Sequence, residues 1–370
     1  MREAPRADVR ARRRGLPNRV SIRAGRMAMS IRRHGVLFVL LTVAATSGCV
    51  EAPWDAMEEL RGDIKRLGGE VKGNMHDISL SYTDVSDDWL RRLTGLRTLQ
   101  RLRLVKTPIT DAGLKHLHDL PHLEELWLSG TRVTDDGLRH LSELPSLDTL
   151  VLVATEIDGT GFRHLRRLAN LRTLNLTWTQ VTDEGLRDIR ALGCLRSLSL
   201  AYTRVTSSGL RHLRGLSGLE RLSLEGTGVD DAGIEHLAGL RNLKELDLAF
   251  TDVGDVGLAQ LRGLLRLRWL RLVNTRVTDA GLVHLECLTN LEILNLAAPF
   301  ITTPTGVIGT RNVTDAGLVR LQRLPKLKAL FLAGTQVTPE GIESFRAALP
   351  ECRVEGPFAW QIGQSAAPIP

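Results

Sequence analysis

Residues 102–125 read LRLVKTPITDAGLKHLHDLPHLEE, and residues 126–149 read LWLSGTRVTDDGLRHLSELPSLDT. The two stretches place a leucine pair, a threonine, an aspartate, a glycine and a series of leucines at the same positions. Apolar residues spaced by two predict a short strand, and apolar residues spaced by three predict a helical segment. A period of 24 residues therefore decides the fold.

The period extends far beyond these two units. The frame fits eleven times, from Ile78 to about Ala348. Each unit can bury its apolar residues only against its neighbours, so the pattern predicts a solenoid whose stacked units share one core. One threonine in each of ten units, here called the turn threonine, occupies positions 83, 107, 131, 155, 179, 203, 227, 251, 275 and 335.

Three polar columns accompany the apolar ones. We expect the hydroxyl of a turn threonine such as Thr107 to bond the backbone of its turn and to form a ladder along the stack. Three places after the turn threonine comes a residue of a type that caps helices, such as Thr110. The next position is usually an aspartate, such as Asp111, whose negative charge is favourable in the first turn of a helix. Gly113 and its equivalents predict a close approach between the backbones of neighbouring turns.

These motifs resemble the leucine-rich repeats of the ribonuclease-inhibitor-like class. The closest likeness is to the T-x-V-T-D-x-G-L repeats of bacterial surface proteins and lipoproteins, which are similar to those of F-box proteins. The resemblance covers about 270 residues. It implies an α/β fold, a right-handed curved solenoid with a parallel sheet on its concave face and helices on its convex face. It also implies that ligands bind on the concave face.

The basic charge of the chain is confined to its N-terminus. The formal charge is +7, but residues 1–49 hold 11 arginines and two acidic residues, whereas the rest has 38 basic and 40 acidic residues. A body near neutrality has no global field that attracts phosphates, so no nucleic-acid partner is expected. We interpret residues 1–26 as an extension upstream of a start at Met27 or Met29. An Arg-rich organelle transit peptide is the alternative.

Residues 27–49 have the organisation of an export signal. Basic residues precede an apolar stretch, residues 35–46, that is too short to span a bilayer. Small residues then lead to Cys49. This run resembles a bacterial lipobox, although Thr46 stands where leucine is commonest, and it implies cleavage before Cys49 and attachment of lipid to its sulfur. An ordinary cleaved secretion signal is the alternative.

The other segments are interpreted by their place relative to the repeats. Residues 50–76 are predicted to form an N-terminal cap on the solenoid, which spans residues 77–354. One unit is lengthened by twelve residues, so residues 300–311 are predicted to leave the stack as an insertion. Residues 355–370 are predicted to be a disordered tail.

No catalytic pattern stands in the sequence. It lacks P-loop, GxSxG, HExxH, CxxC and EF-hand motifs, so we expect neither an enzyme nor a cofactor. Cys194, Cys287 and Cys352 lie within the repeats or at their end, and we interpret them as small, buried apolar residues.

The histidines suggest a metal site, but their positions favour a structural role. The group His116, His118, Asp119 and His122 is a weak metal candidate, because Pro121 interrupts the helix face that would align its members. Cation binding by the aspartate column is a second alternative. Six histidines occupy one column on the outer helical side: His116, His140, His164, His212, His236 and His284.

Aromatic residues are only 4% of the chain, yet several converge on one predicted face of the sheet. Successive strand residues face opposite sides, so the residues between the strand leucines point away from the core. Exposed aromatics beside charges are typical of binding hot spots. Packing over the turns is the alternative for the three aromatics at strand exits, Trp178, Tyr202 and Phe250. The candidate partner-binding residues are Arg103, Trp127, Trp178, Tyr202, Asp247, Phe250, Trp269, Arg271 and Phe331.

Taken together, these features predict a non-enzymatic protein–protein interaction module that binds through its concave face. We expect a monomer, anchored by lipid to a bacterial membrane and facing an extracytoplasmic space, either the periplasm or the cell surface. Two alternatives are a structural role in the envelope or in adhesion, and a glycan-binding surface that uses the aromatics as stacking platforms.

The lipid anchor is testable through its thiol. Cys49→Ser should leave the chain unprocessed and unlabelled when cells are fed a radiolabelled fatty acid, because serine cannot form the thioether to lipid. Continued labelling of this variant would remove the basis for a lipoprotein.

Overall fold

A computed structural model describes residues 54–298 and 312–356, together with two short strands within 301–308. The export signal with Cys49, half of the insertion and the tail from residue 357 lie outside the described residues. Within the described part, no helix is both long and apolar enough to cross a bilayer.

Thirteen strands of three residues each form one sheet. The strands are β1 (Glu70–Lys72), β2 (Asp77–Ser79), β3 (Arg101–Arg103), β4 (Glu125–Trp127), β5 (Thr149–Val151), β6 (Thr173–Asn175), β7 (Ser197–Ser199), β8 (Arg221–Ser223), β9 (Glu245–Asp247), β10 (Trp269–Arg271), β11 (Ile293–Asn295), β14 (Ala329–Phe331) and β15 (Arg353–Glu355). All neighbouring strands from β2 onwards pair in parallel. Each strand residue pairs with the residue 24 places later in the chain, except between β11 and β14.

Short helical turns return the chain to the next strand. The α-helices are α1 (Trp54–Arg66), α2 (Asp111–Leu114), α3 (Phe162–Leu165), α4 (Asp231–Ile234), α5 (Asp255–Gln260), α6 (Asp279–Leu282), α7 (Asp315–Leu321) and α8 (Pro339–Ala348). The 3₁₀ turns are Asp87–Leu93, Lys115–Leu117, Gly137–Glu143, Gly185–Ala191, Gly209–Leu213, Glu235–Leu237, Leu261–Gly263 and Val283–Cys287. A leucine spacing of three matches the three residues per turn of a 3₁₀ helix, which explains why 3₁₀ segments are as numerous as α-helices.

The apolar columns form one continuous core between the sheet and the helical turns. Leu102, Leu104, Ile109, Leu114 and their equivalents in nearly every repeat are fully or almost fully buried. The predicted α/β leucine-rich-repeat solenoid is therefore confirmed. The prediction of three buried cysteines was wrong for two of them: Cys352 is buried, whereas Cys194 and Cys287 are exposed because each occupies an outward-facing position between two buried leucines.

The turn threonines act within their own repeats. Each side chain is buried, and its hydroxyl donates to the carbonyl oxygen of the leucine three residues earlier, at 2.6–2.9 Å. The predicted bond to the turn is present. The predicted ladder is not, because a hydroxyl has one proton and that proton is used inside the repeat.

Repeats are joined instead by the aspartate column. In six repeats the carboxylate accepts from both the backbone N–H and the hydroxyl of the capping residue in the next repeat, at 2.5–2.9 Å. We call this contact the carboxylate clasp, and we include under that name Asp135 and Asp231, whose carboxylates accept only from backbone N–H groups of the next repeat. The sequence assigned these carboxylates to their own helices; the structure directs them to the following repeat.

The glycine column makes room for the clasp. A Cβ atom on Gly257 would lie 2.6 Å from Oδ1 of Asp231, and one on Gly113 would meet the carboxylate of Asp87. Gly185 differs, since its contact is the backbone of Asp158 and Gly159. The expected close approach between turns is therefore present, and in most repeats it is an approach to a carboxylate.

The N-terminal end of the sheet and the lengthened unit depart from the repeat. At the N-terminal end, β1 pairs antiparallel with β2. The chain between β11 and β14 contains β12 (Ile301–Thr303) and β13 (Gly306–Ile308), which pair only with each other within the described sheets. β11 pairs directly with β14, so the sheet continues across the insertion.

The carboxylate clasp can be tested with two adjacent aspartates. Asp135 accepts from the backbone N–H groups of Asp158, Gly159 and Gly161, at 2.7, 3.1 and 2.6 Å, whereas Asp136 is exposed. Asp135→Ala should lower the free energy of unfolding by about 1–3 kcal/mol, because it leaves buried donors without partners. Asp136→Ala should stay within about 0.5 kcal/mol of the wild type. Equal effects in chemical denaturation would contradict the clasp.

Candidate functional site

The strands expose one face of the sheet away from the core. In most strands the central leucine is buried and its two neighbours are partly exposed. We call this surface the open face, and the third residues of the strands, from Ser79 to Glu355, its middle row. The exit edge consists of the residues immediately before the turn threonines, from Tyr82 to Gly334.

Near the N-terminal end, the charges of the open face pair with one another. Arg103 donates to Asp77 at 2.6 Å, and Arg101 donates to Glu125 at 2.9 Å. The Arg103 guanidinium also lies 5.9 Å from the centroid of the Trp127 ring, within the range of a cation–π contact. Arg103 and Trp127 therefore form a local pair that is half-buried rather than fully exposed.

A second group is built around Arg271. Its guanidinium contacts Asp247 and Glu225, each at 2.9 Å, and the hydroxyl of Tyr202 donates to Glu225 at 3.0 Å. The prediction of an exposed charge at Asp247 was wrong: the residue is only 7% exposed. The following repeat supplies Arg271, which pairs with the Asp247 carboxylate, and the preceding repeat supplies Glu225, which pairs with the same guanidinium.

Burial governs the ionisation of this group. Desolvation raises the pKa of Asp247, although the nearby Arg271 guanidinium opposes the rise. Desolvation and the Glu225 carboxylate together raise the pKa of Tyr202 to about 12. The Tyr202 hydroxyl therefore keeps its proton at neutral pH and serves as a fixed hydrogen-bond donor to Glu225.

The aromatic residues of the exit edge adopt left-handed backbone conformations. Trp178, Tyr202 and Phe250 have φ values of 60°, 55° and 56°. A left-handed conformation costs a non-glycine residue roughly 1–2 kcal/mol. It persists here because the backbone is bonded to the next repeat, as where the N–H of Trp178 donates to the carbonyl of Ala201 at 2.9 Å.

The exit-edge aromatics differ in exposure. The rings of Trp178 and Tyr202 are stacked, with centroids 4.1 Å apart and planes 5° from parallel. Trp178 is 57% exposed. Phe250 instead packs, half-buried, against a small apolar cluster of Ala249, Val273, Ala297 and Ala333.

The C-terminal end of the open face is mostly apolar. Trp269 pairs with Ile293 in the first row of the strands, and Asn295 pairs with Phe331 in the middle row. Trp269, Ile293 and Phe331 are each half-buried, which is less exposed than the sequence predicted. We call Trp269, Ile293, Ala329 and Phe331 the apolar patch.

The nine predicted residues do not form one site. Strands are about 4.8 Å apart, so Trp127 on β4 and Trp269 on β10 are separated by about 29 Å. The structure instead gives the Arg103–Trp127 pair, the Arg271 group joined through Tyr202 to Trp178, and the apolar patch with Phe250 nearby. Glu225, which links Tyr202 to Arg271, was missed, although its place two residues beyond β8 could have indicated it.

The histidine column faces the helical side. Arg91 donates to Nε2 of His116 at 3.4 Å, and Arg139 donates to Nε2 of His140 at 3.3 Å. Desolvation, followed by the nearby arginines, lowers the pKa of His116, His140, His212 and His236. Among the described residues, no group of three or more histidine, cysteine or acidic side chains is arranged to hold a metal ion.

The aspartate column also contributes to a shallow cavity. Its lining includes Asp230, Asp231, Asp255 and Arg276. The carboxylates are already engaged: Asp231 accepts from the N–H of Gly254 at 2.6 Å, and Asp255 accepts from the N–H of Thr278 at 2.8 Å. These aspartates serve as clasps between repeats, which accounts for their clustering.

Known proteins share this architecture. A sequence model of the leucine-rich repeat matches residues 119–142, 167–189 and 239–261. The fold is similar to that of an internalin from Listeria monocytogenes, with a TM-score of 0.57 and 19% sequence identity over 83% of this chain and 96% of that one. It is also similar to a leucine-rich-repeat protein of Leptospira interrogans, with a TM-score of 0.53 and 19% identity over 72% of this chain and 74% of that one. The comparison with curated protein sequences gave no match.

The lowered histidine pKa values predict acid sensitivity. Below a pH of about 6.5, the unfolded chain binds protons more readily than the folded chain, so the free energy of unfolding falls as the pH falls. Replacing His116, His140, His212 and His236 by glutamine should reduce the difference between denaturation midpoints measured at pH values of about 7.5 and 5.5. An unchanged difference would show that the column does not titrate in this way.

Proposed function

We propose, from the premise that this chain is a leucine-rich-repeat protein, that it is a non-enzymatic module which binds a protein partner through the apolar patch on its open face. The observation that carries the proposal is the presence of Trp269 and Phe331, half-exposed, on a rigid sheet beside a fixed guanidinium. Tryptophan and arginine are the residue types most often found at the energetic centre of protein interfaces.

The sheet supports binding by fixing these side chains in advance. Trp269 lies on β10, whose backbone is paired with β9 on one side and β11 on the other. Arg271, two residues later, is oriented by Asp247 and Glu225. A side chain that is already ordered loses little conformational freedom on binding, so more of its contact energy contributes to affinity.

The location of the module is part of the proposal. The basic residues, the apolar stretch and the small residues before Cys49 support a lipid anchor at a bacterial membrane, with the repeats facing an extracytoplasmic space. Such an anchor would present the open face to partners at the same surface.

Partner capture tests the apolar patch. Trp269→Ala and Phe331→Ala should each weaken capture of the same protein from envelope extracts, by about 2 kcal/mol at a hot spot, while changing the free energy of unfolding by about 0.5 kcal/mol. Val319→Ala is the matched control, because Val319 is 57% exposed on the helical side of the same region.

A core variant separates binding from folding. Leu174→Ala should lower the free energy of unfolding by roughly 2–5 kcal/mol, and it should affect capture only through loss of the fold. If the patch variants unfold but capture the partner normally when folded, the aromatics are packing residues. If Val319→Ala weakens capture as strongly, the binding surface is on the helical side.

A further inference from the structure

The centre of the open face carries no formal charge. Arginine and acidic side chains occupy both flanks, and most of them pair locally, as in Arg103 with Asp77 and Arg271 with Asp247. At one border, Arg221 reaches Ser197 at 3.4 Å. We call the partly exposed polar residues between these flanks the neutral patch: Thr149, Thr173, Asn175, Thr177, Ser197, Ser199 and Ser223.

Trp178 borders this patch at the exit edge, and its ring is held in place. One ring face stacks on Tyr202, at 4.1 Å between centroids. Tyr202 is itself fixed by its bond to Glu225 and by Gly226, where a Cβ atom would collide with the tyrosine ring. The exposed 57% of Trp178 is thus a flat apolar surface whose orientation is set before any ligand arrives.

Hydrogen bonds orient the polar groups beside Trp178. Oδ1 of Asn175 accepts from the N–H of Thr177 at 3.0 Å and from its hydroxyl at 2.7 Å. The Thr177 hydroxyl has then used its proton, so the Ser199 hydroxyl, 2.8 Å away, is the donor to it. The Ser199 oxygen also accepts from the N–H of Ala201 at 3.5 Å, so the two N–H bonds of the Asn175 amide and the remaining lone pair of Ser199 stay as neighbouring donors and acceptor.

We propose that Trp178 and the neutral patch form a binding site for an uncharged glycan. A sugar ring has an apolar C–H face that can stack on an indole, and hydroxyls that both donate and accept hydrogen bonds. No side chain within the patch carries a charge, so a charged ligand would meet a countercharge only at the border, where Arg221 contacts Ser197. A purely apolar peptide surface would cover the two N–H bonds of the Asn175 amide and leave them without an acceptor, which is costly.

The site is separate from the apolar patch. Asn175 lies on β6 and Trp269 on β10, so about 19 Å separates them. Tyr202 and Glu225 connect Trp178 to Arg271 beside Trp269, but Trp178→Ala and Trp269→Ala both leave the Glu225–Arg271 pair in place, so each change should act on its own site. The glycan site and the protein-binding surface can therefore stand or fall independently.

The experiment measures binding of the purified full-length chain to an array of uncharged glucose, mannose, galactose and N-acetylglucosamine oligosaccharides, with polygalacturonate as the charged comparison. Affinity for the best uncharged probe is then measured by calorimetry. We expect Trp178→Ala to weaken it at least about tenfold and Asn175→Ala to weaken it severalfold. Affinity should change little between about 0.05 and 0.5 M salt, because no charge is involved.

Two variants control for folding and place. Trp178→Ala should fold normally, because Ala154 occupies the same exit-edge position with a φ of 53°. Trp269→Ala should bind the sugar like the wild type. The proposal is overturned if no uncharged oligosaccharide binds in a Trp178-dependent manner. It is also overturned if only polygalacturonate binds. A third contrary result would be that Trp178→Ala impairs capture of the protein partner but leaves sugar binding unchanged.

Discussion

In most repeats an aspartate carboxylate accepts two hydrogen bonds from the capping residue of the repeat that follows, and a glycine in that following repeat leaves space for it. The remaining structure depends on this contact, because single turns of 3₁₀ or α-helix are too short to be stable alone. In those repeats the clasp ties the start of the helical turn to the previous turn. Apolar burial then stabilises a stack whose spacing is already fixed.

The residues of the clasp vary together along the chain. Where serine replaces the aspartate, at Ser207, the next capping residue is Asp230, and the two still bond, now with the acceptor on the other repeat. Where two acids meet, at Asp135 and Asp158, the pKa of Asp135 is raised mainly by burial, and that of Asp158 is lowered by the N–H and hydroxyl of Thr160. The interaction is retained at these positions although its residues change, whereas at Gly159 it is replaced by a backbone bond from the N–H of Thr182 to the carbonyl of Asp158, at 3.3 Å.

The sequence was sufficient for the architecture and insufficient for the site, for a physical reason. Burial follows from position within a repeat, so Leu102, Leu104 and Leu114 could be placed in the core from the period alone. The contacts of the open face arise between repeats: Asp247 is buried because Arg271 and Glu225 come from its two neighbouring repeats. The period shows which row of the open face a side chain belongs to, but it does not show which side chains of neighbouring repeats contact one another. The residues predicted as one site therefore lie in three separate groups in the structure.

Local contacts between repeats also allow the open face to carry more than one function. The left-handed exit edge is maintained by backbone bonds to the next repeat, so the strain at Trp178 and Tyr202 is borne by two or three repeats and not by the whole chain. Side chains on the open face contribute little to the core, and they can change without loss of the fold. A neutral patch and an apolar patch four strands apart can thus acquire different ligands on one scaffold, because the clasp keeps the rows of both patches in register.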